Sequence, residues 1–263
     1  MDLARRSFAT HGVGETKSRE GGAPRFYKKV TVHPALHEGK HIGHEIHLDQ
    51  RVLKTPARKP LVFPTEALAY AVASEWEMQR QRIQPFTMPL MSLVATAVDL
   101  PRPREEVESI LVDYLNTDLL LLREEKGEIA EVQAEEYEPV LDWVRQRTGA
   151  ELKPSSSIFG NRLPREDHLA IMCHLQSMNR WQLTAVEQLA AAVKSTLLAI
   201  SVIGGRVGIE QALRLARLEE LEQIKEWGLV EGAHDIDEAD TAVRVAAPSV
   251  FIRLLGLPQA QSA

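Results

Sequence analysis

The residues richest in chemical potential lie in one stretch, Arg217-Leu218-Glu219-Glu220-Leu221-Glu222-Gln223-Ile224-Lys225-Glu226-Trp227-Gly228, continued by Glu231 and by Ala233-His234-Asp235. At helical spacing Glu219, Glu222, Gln223 and Glu226 share one face, and Leu215, Leu218 and Leu221 mark an adjoining apolar strip. Gly228 stands where a helix would stop. Carboxylates beside leucines, closed by an aromatic, are poor material for a nucleophile or a metal cage. What they can supply is charge, offered to cations on another surface. A solvated face is the ordinary reading of such a run, and a local pair such as Glu222 with Lys225 contributes only about 0.3 kcal/mol. Against it stands concentration: six carboxylates fall between Glu219 and Asp235, beside Trp227. Like charges so close repel and cost some stability, which a basic partner would relieve.

Other candidates are weaker. His41, His44 and His47 are spaced by three, but they fall in a turn and strand, where that spacing alternates faces and cannot converge on one ion. Cys173 and His174 are adjacent, and neighbours on a helix diverge by about 100°; a buried structural thiol is expected. Gly204-Gly205-Arg206-Val207-Gly208 follows a helix and lacks the Lys-Ser/Thr of a phosphate loop, so it reads as an interhelical turn. No Gly-x-Ser-x-Gly elbow is present. The sequence therefore predicts no catalytic residue, metal or cofactor. The rival expectation is a small enzyme with a pocket between two domains, because a site assembled from distant segments leaves no linear motif. A deep cleft with convergent titratable groups would favour it; a broad acidic face would favour docking.

Composition agrees with a binding protein. A chain of 263 residues, 44% hydrophobic, can bury a sizeable core in one or two domains. Its net charge of −6 and 5% aromatic content argue against nucleic acid. Cys173 is the only cysteine, which excludes an internal disulfide and fits a reducing compartment. No apolar run approaches the ~20 residues of a membrane span, so no membrane insertion is expected. Residues 1–24 stand apart. Arg5-Arg6-Ser7-Phe8-Ala9 and the Gly-rich stretch to Gly22 suggest a disordered or transit-derived segment, though Asp2, Glu15 and Glu20 are atypical of one.

The positioning elements follow. Arg25 to Val32, Glu45 to Leu48, Arg51 to Thr55 and Leu61 to Phe63 read as strands of a small antiparallel meander, broken at Pro56 and Pro60. Thr65 is expected to cap a helix carrying Ala69, Val72, Ala73, Trp76 and Ile83, with Glu75 and Gln79 buttressing the strand layer. Met91 to Asp99 and a segment from Pro103 to Leu115 are further helices. Pro139–Arg147, Pro164–Met178, Ala185–Ile203 and Ile209–Trp227 follow, with Thr184 and Glu187 as a capping box and Trp143 and Trp181 in the core. Pro248 should kink or interrupt a last helix near 239–255. The fold class is α+β: a small β-rich amino-terminal domain with helices over 25–122, then an all-α orthogonal bundle over 123–263.

Several blocks together resemble the assembly chaperones of the F-type ATP synthase alpha subunit. They are Arg25-Phe26-Tyr27-Lys28 with Leu53-Lys54-Thr55-Pro56; Glu75-Trp76 with Gln79; Met88-Pro89-Leu90 leading to Thr96-Ala97; Tyr114-x-x-Thr117-Asp118-Leu119-Leu120; and the acidic segment ending at Trp227-Gly228 with Ala233-His234-Asp235. The resemblance implies a non-enzymatic chaperone that binds unassembled alpha subunit and prevents its aggregation until assembly. It also implies a mitochondrial matrix setting, or the cytoplasm in a bacterium, and a monomeric free state. Partner binding would fall to Glu219, Glu220, Glu222, Gln223, Trp227, Glu231, His234 and Asp235, while Trp76, Pro89 and Asp118 would be structural. Two departures stand out. Gln50 replaces the usual glycine of a hairpin, where positive φ would strain it, and Pro248 interrupts a helix that the family runs straight.

Overall fold

The computed structural model describes residues 22–157, 161–227 and 234–256. The chain divides into two compact units, 1–99 and 100–263, earlier than the expected boundary after Leu122. The reason is visible in the contacts of the intervening stretch: Arg104 donates to the carbonyls of Leu175 and Met178, and Asp118 binds Ser195.

The first unit is built on a three-stranded antiparallel sheet in the order β1-β2-β3, comprising β1 (Val30–His37), β2 (Lys40–Leu48) and β3 (Arg51–Val52). Alternation buries Ile46 and Leu48, and Leu61 and Phe63 are buried as well. Two of the expected strands change role. Arg25 does not open the sheet; its amide donates to Gln81 O and its guanidinium to Glu77 O. Leu61 to Phe63 makes only an isolated bridge, through paired bonds of 2.7 and 2.9 Å between Phe63 and His44. A register shift between Ala35 and Leu36 leaves Ile42 as a bulge. Gly43 follows it with φ +145°, and a Cβ there would meet Phe63 O at 2.5 Å, so only glycine fits. Because of the bulge the histidines divide: the His41 and His44 rings lie 5.1 Å apart, whereas His47 packs on His33 at 4.5 Å and bonds Glu45 at 2.7 Å.

The turn after β2 corrects one expectation. Positive φ falls on Asp49 (56°), a residue that tolerates it, and not on Gln50. The Asp49 carboxylate also accepts from the amides of Lys28 and Lys29, which holds it well below the usual range.

Helix α1 (Glu66–Glu77) is capped by Thr65, whose side chain accepts from Leu68 N, and buries Leu68, Ala69, Val72 and Ala73. It ends short of Ile83, and Glu75 and Gln79 brace the following loop instead of the strands. Gln79 Nε2 donates to Glu75 O and Thr87 Oγ1, while its Oε1 accepts from Gln84 N at 2.7 Å. Glu75 reaches α2 (Pro89–Asp99), accepting from Leu90 N and Met91 N, both at 2.8 Å. Pro89 needs no such partner, having no N–H, so one carboxylate completes the first turn. Trp76 is half-buried; its carbonyl accepts from the Tyr27 hydroxyl at 2.7 Å and the two rings meet edge to face.

The second unit holds α3 (Arg104–Asp113), α4 (Glu128–Thr148), α5 (Arg165–Ser177), α6 (Arg180–Val193), α7 (Thr196–Ile203), α8 (Ile209–Ala216), α9 (Leu218–Trp227) and α10 (His234–Leu254). Pro103 and Pro164 open α3 and α5 as expected, but two other prolines set no boundary. Pro139 lies inside α4 and Pro248 inside α10, and neither interrupts its helix. In α4 the buried stripe Gln133, Tyr137, Val140, Leu141 and Val144 runs through the proline, so packing outweighs the lost backbone bond. The long helix expected over 185–203 is two. Its capping box is Asn179 with Gln182, Thr184 is interior, and Lys194 in the left-handed region separates α6 from α7. Ser195 recaps α7, accepting from Leu198 N at 2.9 Å. Trp181 is buried, but Trp143 is only half-buried, its ring lying where a Cβ on Gly204 would clash at 2.3 Å. Cys173 is exposed, not buried, because α5 packs through Asp167, Ile171 and Leu175.

α7 is buried along its whole length, and its amino terminus is held by Asp118. That carboxylate, 0% exposed, accepts from Ser195 Oγ at 2.6 Å, Leu197 N at 3.1 Å and Leu120 N at 3.0 Å. Burial pushes its pKa up to about 6 despite these bonds.

Two predictions follow from these buried carboxylates. Asp118→Ala leaves three buried donors without an acceptor and should lower unfolding free energy by about 3 kcal/mol in urea titration; Ser195→Ala should lose about 1 kcal/mol. For Glu75, burial lifts the pKa from 4.5 to about 7. The folded state then holds its proton more tightly than the unfolded chain does. Its contribution is full below pH 4.5 and declines as pH rises towards 7. In urea titrations across that range the native chain should lose stability relative to Glu75→Gln as pH rises from 4.5 to about 7, and the two should run parallel above it.

Candidate partner-binding surface

α9 begins one residue after α8 ends, so Arg217 sits at the joint and Leu218 turns into the core at 3% exposure. That fixes the orientation of the next turn. Glu219 is exposed, and Glu220 and Glu222 are half-exposed. The first two do not hang free. Glu219 Oε1 accepts from Gln133 Nε2 at 2.8 Å, and Gln133 is fully buried on α4 with its own Oε1 accepting from Glu124 N at 2.8 Å. Glu220 makes a two-point contact with Arg217, both bonds at 3.1 Å. The carboxylates expected to form one uniform face therefore differ: Glu220 is engaged by a cation, whereas exposed Glu219 is bonded by a neutral amide.

Supporting contacts surround this anchor. The Tyr137 hydroxyl, one turn along α4 from Gln133, donates to Leu215 O at 3.1 Å and ties α4 to the end of α8. The Arg123 guanidinium stacks 4.7 Å over the Tyr137 ring, and burial holds its pKa below the usual arginine range. Glu136 on α4 and Arg214 on α8 make a bidentate pair, both bonds at 2.5 Å. Gln223 and Trp227 belong to α9, and His234 and Asp235 to the first turn of α10, but their side chains, and the whole of Glu231, lie outside the described residues.

The first unit carries a feature the sequence did not bring forward. An open cleft of about 610 Å³ is lined by Met78, Gln79, Arg80, Gln81, Arg82, Gln84 and Thr87. Met78 is 77% exposed and Phe86, next to Thr87, 80%. Met78 and Phe86 break no helical period, since they follow the end of α1; the available signal was two large apolar residues flanking a pair of arginines. The lining has no histidine, cysteine or carboxylate. Among the described residues no group of three or more His, Cys, Asp or Glu could hold a metal, and no helix is long and apolar enough to cross a membrane.

Comparison with known proteins places these features in context. The profile of the ATP12 chaperone protein family matches residues 24–145. The chain is 30% identical over 224 residues to the mitochondrial protein atp12 of Schizosaccharomyces pombe, covering 80% of this chain and 77% of that protein. It is 23% identical over 281 residues to the mitochondrial protein ATP12 of Saccharomyces cerevisiae, covering 90% and 86%. The crystal structure of Atp12 from Paracoccus denitrificans superposes with a TM-score of 0.79 at 31% identity, over 89% of this chain and 98% of that one.

The Gln133 anchor is open to test. Gln133→Leu removes the donor to Glu219 and the acceptor for Glu124 N, and should cost about 1–3 kcal/mol in denaturant unfolding. Faster amide exchange in α9 than in α6 of the same variant would show that the anchor holds this helix in particular.

Proposed function

Because the chain belongs to the ATP12 chaperone family, we propose that it shields the unassembled alpha subunit of an F-type ATP synthase and hands it on to the assembling complex. The yeast relatives are named mitochondrial and the Paracoccus structure comes from a bacterium. Both settings match those expected from the sequence. The observation that carries the reading is α9, where Glu219 is presented to solvent on a buried amide anchor beside half-exposed Glu222.

The physical task is competitive covering. A ring subunit without its neighbours exposes apolar surface and unpaired polar groups, and it aggregates. A chaperone must bind tightly enough to outcompete self-association yet yield to the proper neighbour; micromolar affinity, ~8 kcal/mol, meets both demands. Carboxylates contribute chiefly to the rate and specificity of encounter with a basic rim. A carboxylate whose rotamer is already fixed loses less entropy on pairing than a free one. The proposed role is binding, and it requires no reaction on this chain.

Glu219→Lys with Glu222→Lys should abolish capture of the alpha subunit in co-expression followed by size-exclusion chromatography, while the circular dichroism spectrum stays unchanged. Glu219→Gln with Glu222→Gln keeps an acceptor for Gln133 and removes only charge. It should weaken capture about tenfold, with the loss shrinking as salt is raised. Capture by the lysine variant equal to that of the native chain in low salt would remove α9 from the mechanism.

A further inference from the structure

The cleft of the first unit is built like a binding site of a different kind. Its composition is the one that distinguishes protein interfaces from ordinary surface: methionine, arginine and, at its edge, phenylalanine, with lysine, aspartate and glutamate missing from the lining. Solvent exposure of 77% for Met78 and 80% for Phe86 is costly unless something covers them. The floor is rigid before any partner arrives. Gln79, only 5% exposed, spends its amide on Glu75 O, Thr87 Oγ1 and Gln84 N, and Glu75 in turn holds the first turn of α2. One wall is pinned by Ile83 N donating to Ala23 O and Arg25 N donating to Gln81 O.

Charge identifies the occupant. The chain carries a net −6, yet this cleft presents the guanidinium groups of Arg80 and Arg82. Arg82 keeps a bond to Gly22 O at 2.9 Å, and both side chains are exposed. Two arginines near exposed methionine and phenylalanine match carboxylates that alternate with apolar side chains. The guanidinium fork suits a carboxylate, and the flexible thioether adapts to varied apolar shapes. We propose that this cleft grips an extended segment of the client in which acidic residues stand beside large apolar ones, as a second contact of opposite charge to α9. The identity of the client rests on the function proposed above; the chemistry of the cleft does not.

Two measurements separate the cleft from that function. The first uses a fluorescein-labelled decapeptide alternating Glu with Leu and Phe, and its counterpart with Lys for Glu, titrated against the full chain by anisotropy. The acidic peptide should bind at least tenfold more tightly, and Arg80→Glu with Arg82→Glu should erase the preference. Binding without charge preference, or no binding, overturns the cleft whatever the client is. The second uses the alpha subunit itself with Met78→Ser and Phe86→Ser, substitutions of exposed side chains that leave the Gln79 brace in place. Capture should fall about tenfold, and a photo-crosslinker at position 86 should mark an acidic, apolar stretch of the subunit. Unchanged capture by this variant overturns the cleft while the function stands; absence of capture even by the native chain overturns the function and leaves the peptide result to decide the cleft. A dimer of the free chain that Arg80→Glu with Arg82→Glu dissolves would give the cleft to a second copy and overturn the proposal.

Discussion

A carboxylate inside the second unit sets the terms for its neighbours. An ionisable group at 0% exposure is tolerated only when donors meet its oxygens, and Asp118 meets Ser195, Leu197 and Leu120. These bonds fix two things at once. They close the amino terminus of α7, the helix buried on every side, and they hold the turn that buries Leu120 and Leu121. From that turn the chain passes directly to Arg123 over the Tyr137 ring and to Glu124, whose amide Gln133 accepts. Gln133 then holds Glu219. The acidic helix is positioned, step by step, by a series of polar contacts that begins at one interior carboxylate.

That ordering bears on recognition. Charged side chains on long flexible stems lose entropy when they pair, which is why exposed ion pairs contribute so little. A chaperone cannot rely on such pairs for affinity, although they can raise the encounter rate. Affinity must come from covered apolar area. On the reading proposed above the two roles fall on different units: carboxylates on α9, and an arginine cleft edged by Met78 and Phe86 in the first unit. Separation has an advantage for a protein that must let go. Contacts of opposite sign on separate units can be released one at a time, each release weaker than the whole, so a competing subunit need not displace everything in one step.

Periodic patterns were legible in the sequence. Thr65 as a cap, Gly204 after α7, the α+β order and the acidic helix all follow from local rules that tertiary packing left standing. Misreadings share a cause: a local signal was outvoted by something distant in sequence. Pro139 reads as a helix start but lies inside a helix of 21 residues whose buried stripe continues past it. Thr184 and Glu187 have the spacing of a cap, yet Asn179 and Gln182 take that role because α6 begins earlier. Cysteine is usually buried, but Cys173 is exposed because the packed face of α5 lies on the other side. The Gln79 brace joins residues in a loop whose side-chain bonds leave no period, and the cleft it floors was invisible for that reason.

The acidic run itself shows how far such reasoning reaches. From sequence, its crowding seemed to demand a partner, since like charges repel. The structure supplies part of the relief internally. Glu219 and Glu220 fall in the first turn of α9, where a helix dipole favours negative charge by roughly 0.3–1 kcal/mol each. Arg217 adds a two-point contact to Glu220, and Gln133 adds a hydrogen bond to Glu219. For these two residues, capping and anchoring offset part of the repulsion. Glu222 lies in the second turn, beyond the reach of the dipole's strongest effect, and is half-buried. Crowding of like charge on this helix is therefore a weaker sign of a partner than the sequence alone made it, and the client reading rests on the family and on the exposure of Glu219.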